Sequence, residues 1–450
     1  MTPEQPVDGA PQPITSRRVL RMAGPIVLSN ATVPILGAVD TGVVGQLGLA
    51  APIGAVGIGA IILTFYYWIF GFLRMGTSGL TAQAIGERDR EEVAALLIRG
   101  LIIGAAAGLM FVILQVPLFW LGFQLSPASA EVETLAQAYM KIRIWGAPAA
   151  IAAFAMTGWL IAAERTREVL VLQLVINGTN IVLDLWFVLG LGWGVEGVAV
   201  ATLIAEWTGL ALGLWMCREV FAGTAWRNRA LILAPERLKR MAVVNGDIML
   251  RSILLEIGFA AFVFKAADFD DVTLAANQIL IQFLHITAHA LDGFAFSAEA
   301  LVGQALGARS RATLRRASIL TSQWGFVCVA LLSVAFLLGG GEIIRWMTTS
   351  EEVRTVAYDY LFWIALAPLV GLPAWMLDGI FIGATRTRDM RNAMLISLPI
   401  YLVAMLALTA MWGNHGLWLA MLLFFCLRGL TLAMRYPGLE ASADTPRRPV

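Results

Sequence analysis

Charge is scarce in this chain: 14% of its 450 residues are Asp, Glu, Lys or Arg, where a soluble domain carries about 25%. With 59% apolar residues and a mean hydropathy of +0.76, the composition excludes an ordinary soluble protein and specifies a polytopic membrane protein. Cysteine is nearly absent. Cys217, Cys328 and Cys426 stand singly in apolar segments without CxxC spacing, which argues against a disulfide framework or a thiolate metal centre. A net charge of +1 provides no field for nucleic acid. ATP-binding motifs are missing, so primary pumping by this chain alone is disfavoured. Gly190-Leu191-Gly192-Trp193-Gly194 is glycine-rich, but no strand precedes it and it falls in a turn, so it makes no phosphate cradle.

What the chain has instead is apolar length. Twelve segments can cross a bilayer as helices: 24–48, 53–74, 95–120, 136–162, 168–190, 195–217, 243–265, 273–302, 316–339, 356–383, 392–412 and 416–434. Their connections alternate in charge. Arg88, Arg90, Arg99, Arg165, Arg167, the basic run from Arg218 to Arg240, the cluster Arg309 to Arg316, and Arg386 to Arg391 fall on one side. On the other, 121–133, 190–194 and 413–415 carry no Lys or Arg, and only Lys265, Arg345 and Arg354 appear. The positive-inside rule places both termini in the cytoplasm. The first 16 residues, polar and proline-rich, are predicted to be a disordered tail.

The two halves repeat. Arg18-Val19-Leu20-Arg21-Met22-Ala23 returns as Arg237-Leu238-Lys239-Arg240-Met241-Ala242, and Ala82-Gln83-Ala84-Ile85-Gly86 as Gly303-Gln304-Ala305-Leu306-Gly307. Gly158 through Arg167 returns as Gly379 through Arg388, and Gly194-x-x-Gly197 as Gly413-x-x-Gly416. The offsets, 219 and 221, are nearly constant, so one six-span unit is duplicated. Each copy starts and ends on the same side, which makes the repeats parallel and puts a binding site near the midplane between them. The expected division is an N-lobe at 17–217, a connection at 218–242, a C-lobe at 243–435 and a C-terminal tail at 436–450. The fold class is all-α, with twelve transmembrane helices in two parallel six-helix repeats.

Polar residues inside the spans are few and therefore informative. Asp40 lies in the first span, six residues after Pro34, which removes a backbone donor and offers a bending point beside the charge. Gln173, Asn177, Asn180 and Asp184 share one face of the fifth span. At 1.5 Å per residue, Asp40 lies about 12 Å, Asp184 about 9 Å and Thr202 about 10 Å below the outer ends of their spans. Two carboxylates, an amide and a hydroxyl at one depth suit a proton site, and equally a sodium site. The counterpart of Asp40 in the second repeat is Phe259-Ala260-Ala261, without a carboxylate, so coupling is assigned to the first lobe.

The second repeat has its own polar stripe: His285, His289, Asp292, Phe296 and Glu299. The residue after His285 is Ile286 rather than Glu, which argues against zinc-hydrolase chemistry and leaves a cavity-lining or structural face. Glu256 and Asp378 are further intramembrane carboxylates, with Arg251 a candidate partner. Glu206 and Arg428 are candidate partners of each other. Gly100, Gly104 and Gly108 make a small-residue packing face.

The segments VDTGVVGQLG (39–48), GTSGLTAQAIGERD (76–89), INGTNIVLDLWFVLGLGWGVEGVAVATLIAEW (176–207), HALDGFAFSAEALVGQALGAR (289–309) and LDGIFIGATRTRDMRNAM (377–394) resemble the multidrug and toxic compound extrusion (MATE) family, more narrowly its DNA-damage-inducible F (DinF) branch. The resemblance runs from Ser16 to Arg435. It implies a V-shaped bundle that exports amphipathic, often cationic compounds by antiport, with no cofactor and no enzymatic step. It links Asp40, Asn180, Asp184 and Thr202 with cation coupling, by protons or sodium, and implies that protonation of Asp40 bends the first helix and displaces substrate. Glu256 and Asp378 resemble carboxylates that another bacterial branch of the family uses with sodium, so a second coupling site in the C-lobe stays open. The expected partners are a small amphipathic substrate and the lipid bilayer, with the protein a monomer. Two rivals are a lipid-linked oligosaccharide flippase of the same superfamily, which would need a cavity lined with basic residues, and a membrane-embedded enzyme using His285, His289 and Asp292.

Overall fold

The computed structural model describes residues 13–46, 50–125 and 129–444; Leu47 and Gly48 of the opening motif, and most of the expected N-terminal tail, lie outside them. The described residues form helices and turns, with no strand among them. Among the described residues the long helices number twelve, in the order expected: α1 (Ser16–Gly45), α2 (50–86, with a 3₁₀ turn at Ile69–Gly71), α3 (90–125, broken at Leu114), α4 (Ala130–Ala162), α5 (Thr166–Gly190), α6 (Gly194–Met216), α7 (Pro235–Ala267), α8 (Asp271–Gly307), α9 (Arg311–Met347), α10 (Glu351–Gly383), α11 (387–412) and α12 (414–433). Several helices run past the apolar segments, because polar residues continue the hydrogen-bonded ladder beyond the bilayer. α9 extends the expected 316–339 by more than a turn at each end. Ile61, Ile113, Val116 and Leu338 are largely exposed, as residues facing lipid would be.

Duplication is visible in the backbone. Arg88 and Arg309 take left-handed φ values of 61° and 54°, and Glu164 and Thr385 take 59° and 51°; each pair is separated by the same offset as the sequence repeats. These residues close α2, α8, α4 and α10. At the last two, Glu164 N–H donates to Ile161 O and Arg165 N–H to Leu160 O, matched by Thr385 to Ile382 and Arg386 to Phe381. This is the Schellman pattern that normally calls for glycine. The glycines Gly194 and Gly413, with φ of 57° and 56°, form another repeat-related pair, the second separating α11 from α12.

Two compact units emerge. One comprises 28–81 and 89–239; the other, among described residues, comprises 13–27, 82–88 and 240–444. The start of α1 and the end of α2 both fall in the second of these units. The start of α1 joins the second unit because Gly293 of α8 admits the backbone of Ala23, and Ile14 is buried and accepts from Arg316 Nε at 2.8 Å. The end of α2 joins it because Gly86 and Gly307 bring the α2 and α8 backbones together. There Gln83 Nε2 donates to Gly383 O and Thr385 Oγ1, both at 3.0 Å, and Gln83 Oε1 accepts from Arg240 at 2.8 Å.

Within the first unit, Gly100, Gly104 and Gly108 of α3 face Ala155, Ala152 and Pro148 of α4, so that face is a packing seam. The basic connection is anchored by Arg99, which is 1% exposed. Its Nε donates to Ile232 O at 2.9 Å, its Nη2 to Leu231 O at 2.7 Å and its Nη1 to Glu92 at 2.7 Å. Arg99→Ala would orphan two carbonyls and cost about 2–3 kcal/mol locally. Limited proteolysis of the purified protein should then cut first within 218–232.

Candidate coupling site

The first unit gathers the four residues singled out for coupling. Asn180 and Asp184 sit on one face of α5 at 1% and 0% exposure, Thr202 projects from α6, and Asp40 from α1 is half-buried. The Asn180 amide bridges them. With Nδ2 toward the acids it donates to Asp40 Oδ1 at 3.1 Å and Asp184 Oδ2 at 3.0 Å, while its Oδ1 accepts from Thr202 Oγ1 at 2.9 Å. Thr202 Oγ1 also lies 3.0 Å from Val198 O. One amide thereby serves both carboxylates. The Asp184 and Asp40 carboxyls also face one another within hydrogen-bond reach. Immediately after Asp184, α5 winds into a π-helical turn, Leu185–Gly190, a distortion common at functional sites.

One turn toward the other face, a second polar layer ties the same helices. Gln173 Nε2 donates to Asn177 Oδ1 at 2.9 Å, Asn177 Nδ2 donates to Thr32 Oγ1 at 2.9 Å, and Thr32 donates to Ser29 O at 2.7 Å. Gln173 and Asn177 therefore hold α5 to α1 rather than joining the carboxylates. Thr32 lies two residues before Pro34, whose ring is on the exposed side of α1. Thr32 escaped the sequence reading because a threonine followed by valine and proline carries no signal alone.

A cation stands beside the carboxylates. Arg143, at the end of α4's first half, pairs with Glu206 of α6 at 2.8 Å, and both side chains are 12% exposed. Arg143 Nη1 donates to Tyr139 OH at 2.9 Å, and Tyr67 OH donates to Arg143 O at 3.3 Å. Gly146 leaves the space that the Glu206 carboxylate fills. Arg143 is the cation whose field reaches both Asp40 and Asp184. The expected pairing of Glu206 with Arg428 is thus replaced: Arg143 lies one helix away in the same bundle and takes Glu206.

In the second unit, Arg428 and Arg251 both donate to Asp378 Oδ2, Arg428 at 2.7 Å. Asp378 therefore serves as a counter-ion. Glu256 is exposed. On α8, Glu299 is 1% exposed, His289 and Asp292 are half-buried, and His285 is exposed, so the stripe spans several environments. No group of three or more His, Cys, Asp or Glu able to hold a metal occurs among the described residues.

The MatE family pattern matches residues 25–186 and again 248–407, one copy in each repeat. DNA damage-inducible protein F of Escherichia coli K12 is 38% identical over 428 residues, covering 93% of this chain and 91% of that protein. A probable multidrug resistance protein NorM of Pseudomonas aeruginosa is 26% identical, covering 95% and 90%. Among solved structures, the bent form of the Vibrio cholerae MATE transporter VcmN shares the fold with a TM-score of 0.85 at 19% identity, covering 95% of this chain and 98% of that one. Matched twice by the family pattern and along nearly its whole length by DinF, this chain belongs to the multidrug and toxic compound extrusion family of transporters, on its DinF branch.

Proposed function

We propose that the protein is a proton-coupled exporter of amphipathic, often cationic compounds, working as a monomer in a bacterial inner membrane with both termini in the cytoplasm. The observation that carries the coupling is the single amide of Asn180 shared by Asp40 and Asp184. Two like charges held by one donor favour uptake of a proton between them. Half-buried Asp40 is the entry point and fully buried Asp184 the inner partner. Proton arrival relieves the charge held at the Asn180 amide, which Thr202 of α6 holds from the other side. Loss of charge on Asp40 frees α1 to bend at Pro34 and displace substrate. A proton fits better than sodium, because Nδ2 occupies the side of the site where a hard cation needs oxygen.

Substrate flux in proteoliposomes, with pH and sodium gradients imposed separately, tests this reading. Efflux should follow the pH gradient at constant sodium; dependence on sodium alone would replace the proton. Pro34→Ala restores a backbone donor to α1 and should slow transport while leaving substrate binding and thermal stability near wild type, a split between turnover and affinity that is measurable in the same vesicles.

A further inference from the structure

Two buried arginines of the second unit share a single carboxylate. Arg251 of α7 and Arg428 of α12 are 7% and 3% exposed, and both direct Nη2 at one oxygen of Asp378 on α10. One carboxylate cannot neutralise two guanidiniums, and an uncompensated buried charge costs several kcal/mol. Arg251 Nε is buried without a hydrogen-bond partner among the described residues, so a donor of that guanidinium is unspent. Glu256 acts on Arg251 through space, but it is exposed and makes no ion pair with it among the described residues. The same three helices supply apolar rings, the half-buried Phe259 and Trp375 packed on the buried Phe425. Trp375 of α10 and Phe425 of α12 each lie one turn from the charged residue on their helix. Their rings are 5.2 Å apart, and Phe259 of α7 lies 6.4 Å from Phe425. The Arg428 guanidinium lies 5.7 Å from the Phe424 ring.

We propose that this cluster is a binding site for an amphipathic anion, whose carboxylate or phosphate group is taken by Arg251 and Arg428 and whose apolar body lies along Phe259 and Trp375. Guanidinium forks match the geometry of planar and tetrahedral oxyanions, and the aromatic rings favour a flat or extended hydrocarbon. The site goes beyond the export of cationic compounds and is independent of coupling at Asp40. It widens the ligands of the transporter to acidic and zwitterionic molecules, whether a soluble amphipath or an acidic lipid supplies the oxyanion.

The test uses the full chain in phosphatidylcholine nanodiscs, with 1-pyrenebutyrate as the probe and 1-pyrenebutanol as its uncharged analogue. Wild type should bind the butyrate at least about tenfold more tightly than the alcohol. Arg251→Gln leaves the neutral Arg428–Asp378 pair and should abolish that preference. Asp378→Asn raises the net charge and should tighten butyrate binding; if that variant does not fold, Arg251→Gln carries the test, with thermal stability as its control. Adding phosphatidylglycerol separates the sources: competition with the probe identifies acidic lipid as an occupant, and unchanged binding identifies the soluble amphipath. Equal affinity for butyrate and alcohol in wild type, an unchanged preference in Arg251→Gln, or weaker butyrate binding in folded Asp378→Asn would overturn the proposal.

Discussion

Asp40→Asn is expected to yield a folded protein that binds substrate but no longer accumulates it against a gradient. The substitution keeps the size of the side chain and one hydrogen-bonding oxygen, so the contact with Asn180 and the packing of α1 survive, while the proton-binding group is removed. The energetic consequence can be bounded. Exchange of one proton for a monovalent cation moves no net charge, so the pH gradient drives it: one pH unit is worth about 1.4 kcal/mol. That sustains a concentration ratio of about ten. Proteoliposomes carrying Asp40→Asn should equilibrate a fluorescent cationic substrate and build no gradient, while wild type approaches the bound. Full accumulation by the variant would remove Asp40 from the coupling.

The second large effect concerns Arg143. It is the counter-ion of Glu206 and the cation acting on both coupling carboxylates. Removing one member of a buried pair strands the other, so Arg143→Leu should destabilise the protein by about 3–5 kcal/mol. Replacing both members is often nearly neutral, so Arg143→Leu with Glu206→Leu should recover most of the thermal stability. Transport should not recover, because the field of Arg143 at Asp40 and Asp184 is still missing. Stability and transport then separate in one double-mutant cycle, measured as melting temperature in detergent and as flux in vesicles. Recovery of both together would make Arg143 a purely structural partner.

Much of this architecture is legible in the sequence because a membrane span is a long apolar run and a duplication is a fixed offset. The pairs Arg88 and Arg309, and Glu164 and Thr385, show how faithfully the offset carries backbone conformation even where side chains differ. Asn180 and Asp184 are legible because a polar stripe on an apolar helix must meet something polar. Their meeting with Asp40 and Thr202 follows from common depth. What spacing does not give is the partner across a helix pair. Glu206 and Arg428 each lack an opposite charge on their own helix, and three-dimensional packing sends them to Arg143 and Asp378 instead. Unit boundaries are hidden for a related reason: glycines such as Gly86, Gly293 and Gly307 decide which backbones approach, and a lone glycine in an apolar run does not name its neighbour.

The central claim is that substrate and proton exchange at the Asp40–Asn180–Asp184 cluster. Proton release on substrate binding tests it most directly. Purified protein in weakly buffered detergent, at a pH where the site is loaded, is mixed with a cationic substrate, and the freed protons are read with an indicator dye. The account predicts release in wild type and none in Asp40→Asn despite retained substrate binding; equal release from both proteins would contradict it.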